Sequence, residues 1–321
     1  YRIDENGSIA WAIPVLEKPM SPVYMVDYYK NGKYQYMFNT EHYLHLYDLK
    51  GNKVENFPIS LPKPASGAMT LIDYDHNKNY RILIPLSDHK IYNYQVDGEQ
   101  TPGWKFPSMK TEIQQAVQLF KLGTKDFLVI TDTVGDVIYA NRRGESRMSA
   151  KLSFTNNPKT PFYYKQKSSP KAIITTDLMG RVVSITANGK VKKLLLREFS
   201  KNHTFYYFDF DGDKYKDYIF IDNNSLYIYN HRNQLILQKD FDFNVSDKIL
   251  GVSIKTQDDI RLILNNADEQ KIVFITKSGD IINNGKYNCN GQFITSEKKS
   301  DPNLLRLTTA FGRIVSSFLL K

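Results

Sequence analysis

The sequence has very little cysteine and no long apolar run. Cys289 is the single cysteine among 321 residues, which excludes an internal disulfide and any metal site built from several cysteines. No apolar stretch approaches the length of a membrane-spanning helix, so the sequence predicts no transmembrane segment. The chain begins at Tyr1 and shows no signal-peptide pattern. We therefore expect a processed form or a part of a longer protein.

Catalytic motifs are also scarce. The six histidines are scattered along the chain, and the sequence contains no H-E-x-x-H zinc motif, no G-x-S-x-G nucleophile turn and no glycine-rich phosphate loop before a helix. A catalytic site assembled from distant residues would leave no such trace, so the enzyme hypothesis stays open. These absences favour a binding module over an enzyme.

Aromatic residues and a regular series of turns are what the sequence does contain. The 22 Tyr and 18 Phe suit half-buried strands. A Gly or Asn that marks a tight turn recurs every 44 to 47 residues. The marks are Asn6-Gly7, Lys50-Gly51, Asp97-Gly98, Arg143-Gly144, Asn188-Gly189, Arg232-Asn233 and Ser278-Gly279. Gly and Asn tolerate the positive φ that tight hairpins need, and a fixed period with strand-like content between the marks indicates a repeat protein.

One repeat is especially clear. Residues 203–242 have the pattern of four short strands joined by turns, and four antiparallel strands in about 40 residues is the size of a β-propeller blade. We therefore predict an all-β fold, a seven-bladed β-propeller of four-stranded antiparallel blades. A single domain spans residues 1–321 in this prediction. Residues 111–120 are compatible with a helical turn or a strand, and the register of the repeats favours a first strand there.

The two chain ends are predicted to complete the last blade together. Leu304–Thr309 and Arg313–Leu320 supply its second and third strands, and Ser8–Ile13 supplies the fourth. Tyr1–Asp4 also has the pattern of a third strand, and the sequence does not decide between it and Arg313–Leu320. Closing the ring in this way would remove the exposed sheet edges that invite aggregation.

An acidic loop at residues 209–217 is the most chemically specific motif. Its carboxylates take relative positions 1, 3, 5 and 9, and a main-chain carbonyl is available at position 7. Hard oxygen ligands at this spacing wrap Ca²⁺ in EF-hand loops, although the bidentate Glu at position 12 is missing, which predicts modest affinity. The other interpretation is an ion-free turn whose carboxylates cap backbone N–H groups. The predicted metal ligands are Asp209, Asp211, Asp213, Tyr215 and Asp217.

This loop and the apolar strand after it resemble the FG-GAP/VCBS repeat of integrin-type propellers, whose loop has the form D-x-D-G-D-x-x-x-D. Two other blades carry degenerate copies, at residues 27–35 and 73–81. Tyr29 replaces a middle ligand in the first copy, and Arg81 replaces the last ligand in the second. We predict that both copies are turns without a metal.

A second resemblance concerns the outer hairpins. The segment from Ile91 to Phe106, with Asp97-Gly98 and Trp104 inside it, resembles the L-Y-A-L-D-x-x-T-G-x-x-x-W-x-F pattern of the quinoprotein-type (PQQ-like) propeller repeat. Residues 6–11 keep the end of that pattern, including Trp11. Both resemblances imply a propeller, and such repeats more often build scaffolds and binding platforms than enzymes.

Positive charge is concentrated in one predicted blade. The formal net charge is +9, and residues 151–201 hold eleven Lys or Arg and two acidic residues. This composition predicts a patch for an anionic partner such as an acidic glycan or lipid head groups. We do not expect nucleic acid, because no signature of a nucleic-acid-binding fold occurs. The alternative is a solvated lysine-rich face. The predicted patch consists of Lys165, Lys167, Lys190, Lys192 and Lys193.

These patterns lead to a functional prediction. We expect a non-catalytic binding or assembly scaffold with a protein or glycan partner, within a larger bacterial cell-envelope protein that is periplasmic or surface-exposed. The envelope prediction depends on the FG-GAP/VCBS resemblance and on calcium, which is more available outside the cytoplasm. The alternative is a propeller enzyme that acts on glycans, a hydrolase or lyase, with clustered carboxylates lining the central funnel.

Overall fold

A computed structural model describes residues 1–3, 8–148, 154–252, 259–282, 287–291, 293–298, 301–311 and 314–320. These residues form 27 β-strands and no helix, which confirms the all-β prediction. Within these ranges there is accordingly no helix that would be long and apolar enough to cross a membrane.

The strands form seven antiparallel sheets and one short ribbon at the N-terminal end. The ribbon pairs β1 (Arg2–Ile3) with β2 (Ile9–Trp11). Blade 1 contains β3 (Tyr24–Val26), β4 (Gln35–Asn39), β5 (Tyr43–Asp48) and β6 (Ile59–Ser60). Blade 2 contains β7 (Thr70–Ile72), β8 (Arg81–Leu86) and β9 (Lys90–Gln95). Blade 3 contains β10 (Gln118–Leu122), β11 (Lys125–Thr131) and β12 (Val137–Ala140).

The remaining blades follow in chain order. Blade 4 contains β13 (Tyr163–Tyr164), β14 (Ala172–Thr176), β15 (Val182–Thr186) and β16 (Val191–Leu194). Blade 5 contains β17 (Thr204–Phe208), β18 (Asp217–Asp222), β19 (Ser225–Tyr229) and β20 (Leu235–Asp240). Blade 6 contains β21 (Val245–Gly251), β22 (Ile260–Asn266), β23 (Lys271–Thr276) and β24 (Ile281–Ile282). Blade 7 contains β25 (Phe293–Lys298), β26 (Asp301–Phe311) and β27 (Ile314–Leu320).

The fold is a seven-bladed β-propeller, as the repeat predicts. Four strands per blade is right for blades 1, 4, 5 and 6. It is wrong for the described parts of blades 2, 3 and 7, which have three strands each. In blade 2 the reason is local, because the Thr101-Pro102-Gly103-Trp104 turn takes the chain away from β9 after a single bridge, Tyr94 with Gln100. In blade 3 the chain leaves the described residues after Met148.

The repeated turn is confirmed at six of the seven marks, and Asn6-Gly7 lies outside the described residues. At each of the six, the N–H of the Gly or Asn donates to the carbonyl three residues earlier, over 2.8 to 3.1 Å. The φ of that residue lies between +66° and +90°. The positive φ explains why Gly or Asn recurs at this point of every repeat.

A side chain from the preceding blade covers two of these turns. A Cβ added to Gly98 would lie 1.8 Å from Ile59 Cδ1, and one added to Gly279 would lie 2.4 Å from Leu237 Cδ1. At Gly51 the covering side chain is Trp11 of the ribbon, whose Cδ2 would be 3.1 Å away. The ribbon therefore gives blade 1 the contact that a preceding blade gives to blades 2 and 6.

Hydrogen bonds also join neighbouring blades at intervals of about one repeat. The Tyr24 hydroxyl donates to the Met69 carbonyl over 3.3 Å, and the Thr70 hydroxyl donates to the Val117 carbonyl over 2.8 Å. In blade 4 the Tyr163 hydroxyl donates to the Phe205 carbonyl over 3.2 Å. These bonds start and end at or beside the first strands of their blades, so they fix the register of one repeat against the next.

The apolar core lies between the faces of successive blades. Leu44 and Leu46 of blade 1 share one cluster with Ile82 and Ile84 of blade 2. The strands that were expected to be apolar on both faces are buried on both faces, and β22 is buried along its whole length. Burial on both faces is what a strand between two neighbouring blades requires.

The chain ends pair differently from the prediction. Ile314–Leu320 is the third strand of blade 7, paired with β26 from Leu305↔Leu320 to Phe311↔Ile314, whereas Arg313 lies outside the described residues. The expected fourth strand pairs elsewhere, since Ile9–Trp11 is bonded to Arg2–Ile3. Both competing segments are therefore used, in different sheets. A pairing across a five-residue separation costs less loop-closure entropy than a pairing between the two chain ends.

The chain divides into two compact units. The first consists of residues 1–158, 169–173 and 184–192, and contains the ribbon and blades 1 to 3. The second consists of residues 159–168, 174–183 and 193–321, and contains blades 5 to 7. Blade 4 contributes strands to both. The assignment of residues 1–321 to one domain stays a prediction.

Candidate metal site in the acidic loop of blade 5

The acidic loop joins β17 to β18, and the pair Phe208↔Asp217 closes it. Asp209 organises its first half, because one carboxylate oxygen accepts the Gly212 N–H over 2.7 Å and the other accepts the Lys214 N–H over 2.9 Å. Carboxylates that cap nearby backbone N–H groups are typical of Asx turns. The loop is therefore shaped by its own aspartates before any ligand is considered.

Asp211 and Asp213 repeat this pattern further along the loop. Asp211 Oδ1 accepts the N–H of residue 213 over 3.0 Å, and Asp213 Oδ1 accepts the Tyr215 N–H over 2.7 Å. The second oxygen of Asp213 lies 3.1 Å from His231 Nδ1. Asp213 is thus engaged with a side chain outside the loop, which separates it from the other carboxylates.

Asp217 is the most unusual member of the loop. Its side chain is 0% exposed, and Oδ2 accepts the Phe210 N–H over 2.8 Å. Oδ1 is buried and has no hydrogen-bond partner among the described residues. Burial is the main cause that raises the pKa of Asp217 to about 7, and the nearby charges of Asp211 and Asp213 contribute to this rise. A charged carboxylate at this position needs a compensating positive group.

Three of the predicted ligands come together. Asp209, Asp211 and Asp217 each place one carboxylate oxygen within 4.8 Å of the others. In the ranges that the structure describes, this is the one place where three side chains of the metal-binding types gather. Asp213 is not one of these three, and its second carboxylate oxygen faces His231. The Tyr215 ring stacks on the His231 ring with centroids 4.2 Å apart, whereas the ligand predicted from Tyr215 is its main-chain carbonyl.

The two degenerate copies of the loop share its opening. In blade 1 the Asp27 carboxylate accepts the Asn31 and Gly32 N–H groups over 3.0 and 2.9 Å. In blade 2 the Asp73 carboxylate accepts two N–H groups at the same relative positions, over 3.1 and 2.9 Å. The first aspartate is therefore a structural cap in all three blades.

The copies differ at the last position, where blade 5 has Asp217. Gln35 of blade 1 accepts the Tyr28 N–H over 2.8 Å with Oε1 and donates from Nε2 to the Lys33 carbonyl over 2.8 Å. Arg81 of blade 2 donates to the Asn79 carbonyl over 3.3 Å. Lys33 and Asn79 correspond to Tyr215 in blade 5. In the degenerate copies, the residue at the last position therefore donates an N–H to this carbonyl. In blade 5 the residue at that position of the loop is an aspartate, which offers a carboxylate instead.

The loop is also held by its neighbours. Gln166 of blade 4 accepts the Lys216 N–H over 2.7 Å and donates to the Lys214 carbonyl over 2.9 Å. On the other side, a Cβ added to Gly212 would lie 3.1 Å from Nη2 of Arg261. The sequence pattern did not reveal these contacts, because they join residues about one repeat apart that belong to no common motif.

The five lysines of the predicted anionic-partner patch lie in different surroundings. Lys167 lies over the Tyr215 ring, with Nζ 3.4 Å from the ring centroid, so it belongs to the surroundings of the acidic loop. Lys165 is half-buried. Lys190, Lys192 and Lys193 are exposed at or beside β16, the outer strand of blade 4. Three of the five lysines therefore present their charge to solvent along one short strand.

Ser200, His203 and Asp222 bring together the residue types of a catalytic triad in blade 5. His203 Nδ1 donates to the Ser200 carbonyl over 2.6 Å, whereas the Ser200 hydroxyl donates to Asp222. The imidazole therefore does not bind the hydroxyl that it would have to activate. His203 is fully buried, and burial lowers its pKa. This arrangement is a structural hydrogen-bond network.

Comparison with known proteins supports the fold alone. No protein-family model matches the chain, and no curated protein matches it. Two solved crystal structures of BBS1N in complex with ARL6DN, one soaked with mercury and one with lead, align with it. Each alignment has a TM-score of 0.55 and 11% identity and covers 91% of this chain and 89% of that chain. The likeness supports the propeller and does not extend to the FG-GAP/VCBS or PQQ-like repeat type.

Proposed function

We propose that this propeller is a non-catalytic binding scaffold whose acidic loop in blade 5 holds a structural Ca²⁺. The observation that carries the proposal is Asp217, a fully buried carboxylate with one oxygen that no described group satisfies. A buried, unpaired charge is strongly unfavourable, and proteins offset it with a cation or a hydrogen-bond donor. Blades 1 and 2 supply the donor with Gln35 and Arg81.

Ca²⁺ suits this loop better than other common ions. Its ligands are hard oxygens, and it accepts an irregular set of six to eight of them. Asp209, Asp211 and Asp217 would supply the carboxylates that already lie together, and Asp213 and the Tyr215 carbonyl complete the predicted set. The ion would neutralise the acidic loop and fix it between blade 4 and blade 6.

The scaffold part of the proposal draws on the structural neighbour. BBS1N is a propeller domain that was crystallised with a protein partner, ARL6DN. We propose a protein partner for this chain as well, with a glycan as a second class of ligand. We also propose that the chain belongs to a larger protein of the cell envelope. The envelope placement depends on the calcium proposal, since calcium is more available outside the cytoplasm.

The calcium proposal predicts a change of stability on metal binding. Thermal unfolding in EDTA and in excess Ca²⁺ should differ by about 2.7 kcal/mol at a hundredfold excess over Kd. Asp217→Asn should abolish this difference, because the amide removes the negative charge that the ion would compensate. Its side chain supplies an N–H donor instead, as Gln35 does in blade 1. The same variant should be more stable than the wild type in EDTA.

A matched control uses the same substitution in a sister loop. Asp73→Asn alters the first aspartate of the blade 2 loop, which corresponds to Asp209 and not to Asp217, and it should leave the calcium response intact. An identical melting point of the wild-type protein in EDTA and in Ca²⁺ would reject the ion. The non-catalytic assignment is tested separately, by incubation with a panel of oligosaccharides, and cleavage of any of them would overturn it.

A further inference from the structure

A cleft on blade 2 lies apart from the acidic loop. It is open to solvent, has a volume of about 450 Å³ and runs between β9 and the segment that follows its hairpin. The side chains used below are Lys90, Tyr92, Asn93, Gln100, Thr101 and Trp104. The Thr-Pro-Gly-Trp stretch that creates the cleft is visible in the sequence, but this stretch alone does not predict a cleft.

The cleft forms because the outer strand of blade 2 stops early. The Thr101 N–H donates to the Asn93 carbonyl over 2.7 Å, and a turn follows in which the Trp104 N–H reaches the Thr101 carbonyl over 3.3 Å. Pro102 and Gly103, with φ +75°, are the residues that a type II turn favours at its two central positions. The chain leaves β9 at this turn, and a gap opens beside the strand.

Trp104 takes over one hydrogen bond of the missing strand. Its indole Nε1 donates to the Ile91 carbonyl over 2.7 Å, which satisfies the edge of β9. The ring is parallel to Phe106, at an interplanar angle of 14°. Because the indole N–H is already used, Trp104 offers only apolar ring atoms to a ligand, and it offers them from a fixed position.

Asn93 provides the polar part of the cleft. It is 2% exposed, and its Oδ1 accepts the Thr101 hydroxyl over 2.9 Å. Its Nδ2 is buried and has no hydrogen-bond partner among the described residues. A buried donor without an acceptor is costly, which points to an acceptor supplied from outside the chain. The Thr101 oxygen keeps a lone pair free to accept a second bond.

We propose that this cleft binds a neutral sugar residue of a glycan. The apolar face of a pyranose ring packs on Trp104, with Tyr92 beside it, and a ring hydroxyl accepts a hydrogen bond from Asn93 Nδ2. The same hydroxyl donates to the Thr101 oxygen, since a hydroxyl is both donor and acceptor. Gln100 and Lys90 at the rim offer further polar contacts. The amide and hydroxyl groups favour a sugar over a proline-rich peptide, the other ligand that aromatic grooves bind.

The chain allows a direct measurement, because it has only two tryptophans. In a Trp11→Phe background, tryptophan fluorescence reports on Trp104 alone. Cellotetraose, maltotetraose and chitotetraose are titrated at millimolar concentrations, with a proline-rich peptide as the competing ligand class. We expect a saturable change with at least one of the sugars and no change with the peptide. Binding should not depend on Ca²⁺, so its failure is distinguishable from failure of the calcium proposal.

Substitution of Asn93 locates the binding. Asn93→Asp keeps the acceptor for Thr101 and removes the free donor, so the affinity for the sugar should fall about tenfold. Gln100→Ala changes an exposed rim residue and provides a second test if Asn93→Asp does not fold. Its control is Gln114→Ala, an exposed glutamine of the same unit that lies outside the cleft. We expect weaker binding for Gln100→Ala and unchanged binding for the control.

Three results would overturn the proposal. The first is the absence of any fluorescence change with all three sugars. The second is saturable binding of the proline-rich peptide in their place. The third is an affinity for the sugar that neither Asn93→Asp nor Gln100→Ala changes, which would place the binding elsewhere on the chain.

Discussion

Gly144 and Gly189 occupy the same position of the same turn in neighbouring repeats, with φ of +82° and +80°. They differ in what lies beside them. A Cβ at Gly144 would lie 2.8 Å from the backbone nitrogen of Phe106, whereas a Cβ at Gly189 would meet no described atom within 4 Å. Gly189 therefore reflects only the need for a positive φ, whereas Gly144 also reflects a lack of space for a Cβ.

This difference predicts unequal costs for the same substitution. Gly189→Ala should lower the free energy of unfolding by about 1 kcal/mol, since it pays only for a left-handed conformation. Gly144→Ala should cost about 1 to 3 kcal/mol more, because backbone atoms cannot move aside as a side-chain end can. Urea denaturation of both variants measures the difference. Equal losses would mean that the segment at Phe106 does not press on the turn.

At the same scale, the sequence predicted the carboxylates of the acidic loop and not their surroundings. The spacing of Asp209, Asp211 and Asp217 follows from a pattern of nine residues and is visible in a single sequence. The burial of Asp217 and the clamp by Gln166 depend on packing between blades, which no local pattern contains. Single-sequence reasoning therefore located the candidate site and left its electrostatics undetermined.

At the scale of the element, the sequence predicts strands well where both faces are buried. It predicts them poorly where contacts with other blades replace the hydrogen bonds between adjacent strands. Residues 111–120 were expected to form a strand, but β10 begins at Gln118. The reason is that the groups before it are engaged by other blades. The Ser66 hydroxyl donates to the Ile113 carbonyl over 2.6 Å, and the Thr70 hydroxyl donates to the Val117 carbonyl.

The contribution of each hydrogen bond between blades to the free energy of unfolding should be measurable separately. Tyr163→Phe removes the hydroxyl that donates to the Phe205 carbonyl of blade 5 and leaves that acceptor without its partner. We expect a loss of about 1 to 2 kcal/mol in the free energy of unfolding. Tyr34→Phe is the control, because Tyr34 is 42% exposed. A loss for Tyr163→Phe no larger than that of the control would show that the link does not stabilise the pair of blades.

At the scale of the molecule, the period of the turns was enough to predict seven blades. A repeat of 44 to 47 residues counts the blades directly, because each period supplies one sheet. The partners of the terminal strands were not predictable in the same way. Tyr1–Asp4 and Arg313–Leu320 have the same pattern, and only the three-dimensional structure assigns Arg2–Ile3 to the ribbon and Ile314–Leu320 to blade 7.

Net charge also belongs to this scale, and its distribution makes a separate prediction. Lys190 and Lys192 are exposed beside and within β16, an outer strand. Lysines on such a strand have two possible roles, since they discourage pairing with another sheet and attract polyanions. Both roles require exposure, and a comparison of variants with equal net charge separates them.

The test reverses two charges in two different places. Lys190→Glu with Lys192→Glu, and separately Lys50→Glu with Lys110→Glu, each lower the formal net charge from +9 to +5. All four lysines are exposed. Charges further apart than the Debye length of about 8 Å act independently at physiological salt. If Lys190 and Lys192 belong to an anionic-partner site, their reversal should therefore lower the salt needed to elute the protein from heparin more than the control does. Equal shifts would mean that retention follows net charge, which would leave the lysines of β16 as protection for the edge of the strand.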